Sequence, residues 1–501
     1  MQNDNQLGIL GRMLHKPGAR QRAWLVAAAF SGASAALACS AEDAEEAPGV
    51  AALAVQPSPN VDARRTLAIT EQPILANFGL ERVLGQLIAT GGVTGQTATA
   101  LFQQWWDTQN PGPGLGLGPH CDDVVSGGTP LVNGYPYLCR PAPAEGAQAA
   151  CDPFAAGSAC AYVPIGLFMR FDLAPANGGT CGQYRIVYAK TSGRTDTQNR
   201  NLVIFEAALP NPHLTQGIRG CEKIVRAWAE LSLEPNLDKR RVQLERFYFD
   251  GYQEFAPVVQ YQNFGDNPTG AGQIRTNQFV QPDAPRVWTL REFKLAKSCT
   301  PQCKVSFVPA SDKVNPFGPL FDPAAGDANT LAFQTEFLTQ VPALAATNPN
   351  EIAMNTSDLF NSPQSQAASS TNETNYPANF GTGPSAFRTN IQSVLTGIGS
   401  ALTPDDIVKR AQLNACAGCH RFSNEVDLGG PLIWPASLGF THISERDADL
   451  ETVDSVIRFK ISGALVNLLL PARKTLVENF LNNVPLPARP PQAAIGGRSV
   501  H

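Results

Sequence analysis

The chain reads as a multidomain α+β protein. A disulfide-braced, antiparallel β-rich central domain with helical insertions precedes a small, mainly helical C-terminal domain. Three observations predict this. Eight cysteines (Cys121, Cys139, Cys151, Cys160, Cys181, Cys221, Cys299 and Cys303) fall between residues 121 and 303, an even set of the kind that forms cystines in exported proteins. Over the same stretch apolar residues alternate with other side chains, as on a sheet with one buried face. After an Asn-, Ser- and Thr-rich stretch at residues 311–402, helical spacing returns at residues 403–501. The 501 residues suggest about two to four units. With 43% hydrophobic and 16% charged residues there is enough apolar material for real cores. Forty-three Gly and 40 Pro imply many turns and long connections. A net charge of -5, with no Lys/Arg cluster, argues against nucleic acid as a partner.

Arg12, Lys16, Arg20 and Arg22 form a basic leader, and residues 23–36 an apolar stretch too short to span a bilayer comfortably. The next residues, Ala36-Leu37-Ala38-Cys39-Ser40, resemble a bacterial lipobox, although Ala36 stands where that motif usually has Leu. The resemblance implies a lipoprotein-type signal peptide over residues 1–39, lipidation at Cys39, and membrane contact only through that anchor. Ala36-Leu37-Ala38 also fits the small-residue site of ordinary signal peptidase, which would leave a soluble secreted protein. Either way the chain is expected outside the cytoplasm, periplasmic or on the outer membrane if anchored. Residues 40–65, acidic and Pro-containing, read as a flexible tether.

Residues 66–110 form a helical N-terminal segment. Leu80, Val83, Leu84 and Leu87 recur at helix spacing, as do Leu101, Phe102, Trp105 and Trp106, with the tryptophan pair read as core. Residues 111–310 are the β-containing domain. Ile165, Leu167, Met169, Phe171 and Leu173 alternate, as do Tyr184, Ile186 and Tyr188. Further strands are expected at 202–205, 258–261, 274–280, 287–295 and 305–308. Ile224, Trp228 and Leu231, and then Leu237, Arg241, Leu244 and Tyr248, predict helical insertions. No nucleophile elbow, zinc-protease motif or phosphate-binding Gly loop occurs here, and His120 and His213 read as isolated loop histidines. Residues 311–402 read as a linker with short helices, one at 330–338.

Thr403-Pro404-Asp405-Asp406 is a well-formed helix start. The helix it opens delivers Cys416-Ala417-Gly418-Cys419-His420, which has the C-x-x-C-H form that attaches a c-type haem. A shuffled chain of this composition would hold about 0.003 such pentapeptides, so chance is a poor account of it. The chemistry needs all three residues at this spacing: two thiols a turn apart to meet two vinyl groups, and an imidazole beside them to take the iron. Residues 403–501 resemble a c-type cytochrome module, in which the motif closes the first helix. The resemblance implies one covalent haem c on Cys416, Cys419 and His420, in a small cytochrome c-like domain. A last helix at 472–482 is suited to packing against the first, whereas Ile457, Phe459 and Ile461 alternate like a strand, which that fold does not usually contain. The family would place a Met ligand downstream, but the four Met are Met1, Met13, Met169 and Met354. His442 is the interior residue left to serve as sixth ligand, giving bis-histidine iron at a lowered potential.

Three functions compete. A saturated haem c favours electron transfer with a redox partner protein. An open iron position favours a haem enzyme such as a peroxidase or oxidase, though no distal acid or base is apparent. A binding or structural lipoprotein would instead use Cys416 and Cys419 as a disulfide, or with His442 and His420 as structural zinc ligands. The whole chain resembles secreted bacterial lipoproteins with one C-terminal haem motif, a likeness that implies no substrate.

Overall fold

Eight strands in one antiparallel sheet organise the chain. The computed structural model describes residues 60–140, 146–266, 270–279, 288–367 and 373–486. The expected signal peptide with Cys39, and residues 40–59 of the expected tether, lie outside them. In chain order, Ala68–Ile69 (β1) is followed by helices Leu80–Thr90 (α1) and Ala98–Asp107 (α2). Tyr162–Arg170 (β2), Thr180–Lys190 (β3) and Asn201–Pro210 (β4) come next, then helices Glu222–Glu230 (α3) and Leu237–Glu245 (α4). Gln273–Phe279 (β5), Trp288–Cys299 (β6) and Cys303–Ala310 (β7) follow. After Ala328–Leu338 (α5) come Gln364–Gln366 (β8), Ala386–Gly397 (α6), Pro404–Asn414 (α7) and Leu470–Leu481 (α8). The spatial order β1-β2-β3-β4-β5-β6-β7, with β8 added on β6, makes β2 to β7 a meander of sequential antiparallel neighbours.

The alternation in the sequence sets the two faces of this sheet. Registered pairs run Leu167↔Ile186↔Phe205↔Ile274↔Phe293, an apolar row across five strands. On that face Trp228 of α3 packs on Tyr184 (ring centroids 5.3 Å) and Trp105 of α2 on Phe307 (6.0 Å). Trp105 and Trp106 are both buried, as core residues. The opposite face was expected to meet solvent, and it does not. Its residues Phe168, Arg185, Glu206, Arg275 and Glu292, with pairs Phe168↔Arg185↔Glu206 and Arg275↔Glu292 in register, are all buried. His420, His442, Ile443 and Leu465 lie over Phe168 and Arg185, Lys313 lies over Gln273 and Glu292, and the charges survive burial because they pair across the strands: Arg185–Glu206 at 3.1 Å and Arg275–Glu292 at 3.1 Å.

All eight central cysteines pair: Cys121–Cys139, Cys151–Cys160, Cys181–Cys221 and Cys299–Cys303. The third joins β3 to the start of α3 and the fourth closes the β6–β7 hairpin. Four cystines are the chemistry of an oxidising compartment. Among the described residues no helix is long and apolar enough to cross a membrane.

Several expectations change once tertiary contacts are counted. Residues 258–261 form no strand; Val258, Val259 and Tyr261 are buried in a loop whose amides donate to Phe247 and Tyr248 carbonyls of the preceding turn. Residues 60–65, part of the expected tether, begin the fold, with Val61 buried and Asp62 capping a short helix. The stretch 311–402, read as a linker from its polar composition, packs Phe321, Phe333, Phe337, Phe360 and Phe387 into the core, so its few aromatics outweigh its polar average. His120 and His213 are not isolated: they pair with Asp107 at 3.3 Å and Glu254 at 2.8 Å. Val456–Arg458 pairs with Glu451–Val453, and bridges join Arg458 to Glu71 and Ile461 to Ile443. Finally, α8 lies against α3 and Phe171, with Phe480 and Phe171 rings 4.6 Å apart, and α7 is not among its main contacts. The last helix is thus docked on α3 and on the turn that carries Phe171.

Candidate functional site

Helix α7 is built to place the motif. Thr403 Oγ1 accepts from Asp406 N at 3.2 Å and Asp406 Oδ2 from Thr403 N at 3.0 Å, a reciprocal cap, while Pro404 puts no N–H among the unpaired first-turn donors. Buried Arg410 donates to the carbonyls of Leu344 (2.9 Å), Ala346 (2.8 Å) and Leu428 (2.8 Å), fixing α7 to its neighbours on both sides. The helix breaks at Ala415, whose ψ is 151°, and the chain recoils into one π-helical turn, Gly418–Phe422. A Cβ on Gly418 would lie 1.6 Å from Gln412 O, so the recoil requires glycine. Ala417 N donates to Ser365 Oγ of β8 at 2.9 Å, tying the motif to the sheet.

Cys419, His420 and His442 are brought together, Cys416 follows the end of α7, and all four are buried. Neither Cys416 nor Cys419 is in a disulfide. Burial pushes the Cys419 thiol up to about 12 and Cys416 well above its ordinary value, so both are protonated thiols at neutral pH. That is unlike the lowered thiol of a dithiol redox enzyme. His420 Nδ1 lies 2.7 Å from Phe440 O, so the proton belongs on Nδ1 and the lone pair on Nε2. Burial lowers the His420 pKa to about 4, which keeps it in the neutral, ligating form. His442 is pushed well below its usual value for the same reason, with Nδ1 2.8 Å from Ser462 Oγ and Nε2 3.3 Å from Cys419 Sγ.

The carbonyl that orients His420 is itself held in place. Phe440 adopts φ +71°, a left-handed conformation that a bulky residue takes only when its surroundings demand it. Asn277 Nδ2 of β5 donates to the same Phe440 O at 2.9 Å, and Trp288 packs on the Phe440 ring at 5.3 Å. Buried Arg200 donates to Gly439 O (2.8 Å) and Thr441 Oγ1 (2.9 Å) while forking onto Glu445 at 2.8 and 2.8 Å. Both residues flanking Phe440 are therefore fixed. None of Asn277, Phe440, Arg200 or Glu445 belongs to a motif; the sequence signal for Asn277 and its row was the alternation on β5, misread as a solvent face.

Beside the two imidazoles is a small, partly open cavity. Phe168, Val187, Leu202, Ile204, Ile443 and Leu465 give it apolar walls, and Arg170, Arg185 and Arg473 also line it. Cys416, Cys419 and His420 fit a covalent haem on donor chemistry: two unpaired thiols next to a neutral imidazole whose Nδ1–H is anchored on a backbone carbonyl, the usual support of a metal-bound histidine. His442 does not fit as the opposing ligand where it stands. Metal–nitrogen bonds of about 2.0–2.1 Å would hold two opposed rings with centroids about 6 Å apart. The His420 and His442 centroids are 4.6 Å apart at 61°, edge to face. A four-ligand zinc site fares no better: among the described residues no group of three or more His, Cys, Asp or Glu is arranged to hold a metal ion. No family model, curated protein or solved structure matches the chain, so any function must be argued from these side chains.

Proposed function

We propose that this chain is an exported haem c protein that transfers electrons through one haem, bonded through thioethers to Cys416 and Cys419 and ligated by His420. One observation carries the reading. Eight of the described cysteines pair into four disulfides, and the two that remain are those of the C-x-x-C-H motif, one turn apart and buried beside a neutral histidine. In a compartment that oxidises thiols, such a pair calls for another covalent fate. The haem, when bound, supplies a one-electron couple. The protein's own part is to hold His420 in the Nδ1–H tautomer through Phe440 O, to keep the ring neutral by burial, and to exclude water with the apolar wall. His442 would reach the sixth position only by giving up its 3.3 Å contact with Cys419 Sγ and moving away from His420. A lipid at Cys39 would hold the protein at a membrane, and a redox protein would be its partner.

A second reading, a haem enzyme such as a peroxidase or oxidase, is favoured by the 4.6 Å ring spacing, which leaves no imidazole opposite His420. Expression in a haem-maturing host separates the readings. Electron transfer predicts a covalent haem by intact mass and a low-spin visible spectrum, with the haem mass lost in the Cys416→Ala/Cys419→Ala variant. A high-spin spectrum that responds to cyanide or peroxide would select the enzyme. No Soret band and no haem mass would reject both and leave a binding or structural protein.

A further inference from the structure

One cystine stands apart from the other three. Cys121–Cys139, Cys151–Cys160 and Cys181–Cys221 each have at least one buried member: Cys121 and Cys160 are 2% exposed, and Cys181 and Cys221 are both fully buried. In Cys299–Cys303, Cys299 is exposed and Cys303 half-buried, and Thr300, Pro301 and Gln302 between them are exposed as well. This cystine also holds the least in place. It joins two residues already opposite each other at the end of the β6–β7 ladder, which runs on from Ser298↔Lys304 to Glu292↔Ala310. Two glutamines clamp the outer edge of β7 without it. Gln96 accepts from Val305 N at 2.9 Å and donates to Val305 O at 2.8 Å, and Gln104 accepts from Phe307 N at 2.7 Å and donates to Phe307 O at 3.0 Å. Val305 and Phe307 are themselves core residues. Opening the bond therefore leaves the hairpin folded, whereas each of the other three needs a buried cysteine to be uncovered. The stretch 293–311 contains Lys294, Lys297 and Lys304 and no acid, and Lys297 and Lys304 are exposed beside the cystine. Neighbouring positive charge favours a thiolate as the group that leaves. Exposed disulfides are the ones that exchange, and buried ones brace.

We propose that Cys299–Cys303 is a thiol–disulfide exchange site, at which this chain takes electrons from a dithiol carried by another molecule. The exposed Cys299 Sγ is the point of attack. A thiolate of the donor bonds to it as the Cys299–Cys303 bond breaks, and Cys303 leaves as a thiolate that takes a proton from water. The donor's second thiol then loses its proton and attacks the donor sulfur of the mixed disulfide, and Cys299 leaves as a thiolate that is protonated in turn. Two electrons and two protons have passed from the donor dithiol, which ends as a disulfide, to the cystine, which ends as two thiols. The site shares no residue with the C-x-x-C-H motif and needs no haem.

The wild-type full-length protein tests this, so no variant has to fold. It is equilibrated with glutathione at graded ratios of reduced to oxidised form, free thiols are trapped with N-ethylmaleimide, and peptide masses read each cystine separately from the Cys416/Cys419 peptide. Cys299–Cys303 should be half reduced at a ratio about tenfold or more less reducing than any of the other three requires, with the far-UV circular dichroism unchanged. Timed trapping after addition of dithiothreitol, a dithiol, should show it opening first, and oxidised glutathione should restore the bond. A glutathione ratio within about tenfold of another cystine's overturns the proposal, even if dithiothreitol opens Cys299–Cys303 fastest, because speed alone reports access. Opening only as the circular dichroism signal is lost overturns it as well, since the bond would then be part of what holds the fold.

Discussion

Replacing Arg200 should unfasten the loop that orients His420, and the size of the effect follows from what Arg200 touches. It is buried, forks onto fully buried Glu445 at 2.8 and 2.8 Å, and donates to Gly439 O and Thr441 Oγ1. Arg200→Met keeps much of the volume but strands the Glu445 carboxylate without its partner. Stranding one member of a buried pair costs about 3–5 kcal/mol. A domain's whole stability is about 5–15 kcal/mol, so this is a large share. The double variant Arg200→Met/Glu445→Leu removes both charges and should cost less than the single one, because no orphan charge remains. Urea unfolding followed by tryptophan fluorescence measures both, with Trp288, beside Phe440 and Arg200, among the six tryptophans that report. A loss under about 1 kcal/mol in Arg200→Met would refute the reasoning, since that is what an exposed, solvent-screened pair is worth. A double variant less stable than the single would refute the orphan-charge argument in particular.

Two other perturbations test the frame around the site. Asp312→Asn probes a buried carboxyl whose pKa is raised by burial. Above about pH 3.9 the unfolded chain releases this proton and the folded chain does not, so wild-type stability falls as pH rises until the folded pKa is reached. The variant lacks that slope: the two should match near pH 3, and the variant should gain on wild type by about 1.4 kcal/mol per pH unit above pH 3.9, as read by urea unfolding across pH. Removing Cys181–Cys221 opens a separation of 40 residues and should cost about 4 kcal/mol. Removing Cys299–Cys303, with a separation of 4, should cost about 2 kcal/mol. Thermal unfolding of the two paired Cys→Ala variants gives the order, and equal costs would contradict the loop-entropy account.

The sequence by itself determined whatever depends on neighbours along the chain. Thr403-Pro404 with Asp406 is a cap because the groups that satisfy one another lie three residues apart. The motif's two thiols and imidazole are adjacent by the same logic, and strand parity put Leu167, Ile186 and Phe205 on one face. The even count of central cysteines implied cystines. Which cysteine joins which, however, depended on approach in space. So did the burial of the sheet's second face: alternation says that two faces differ, not that the polar one meets water, and only segments docked from elsewhere in the chain, among them Lys313 and residues 420–473, decide that Arg185, Glu206 and Arg275 are buried. Residues 311–402 illustrate the same limit, since six buried phenylalanines decide their packing against a polar average. His442 was within reach of a guess by elimination, but its ring spacing to His420 was not. The guanidiniums of Arg170, Arg185 and Arg473 meet across 303 residues of chain because charge acts over distance in space, and no spacing along a sequence records where a fold will bring three cations together.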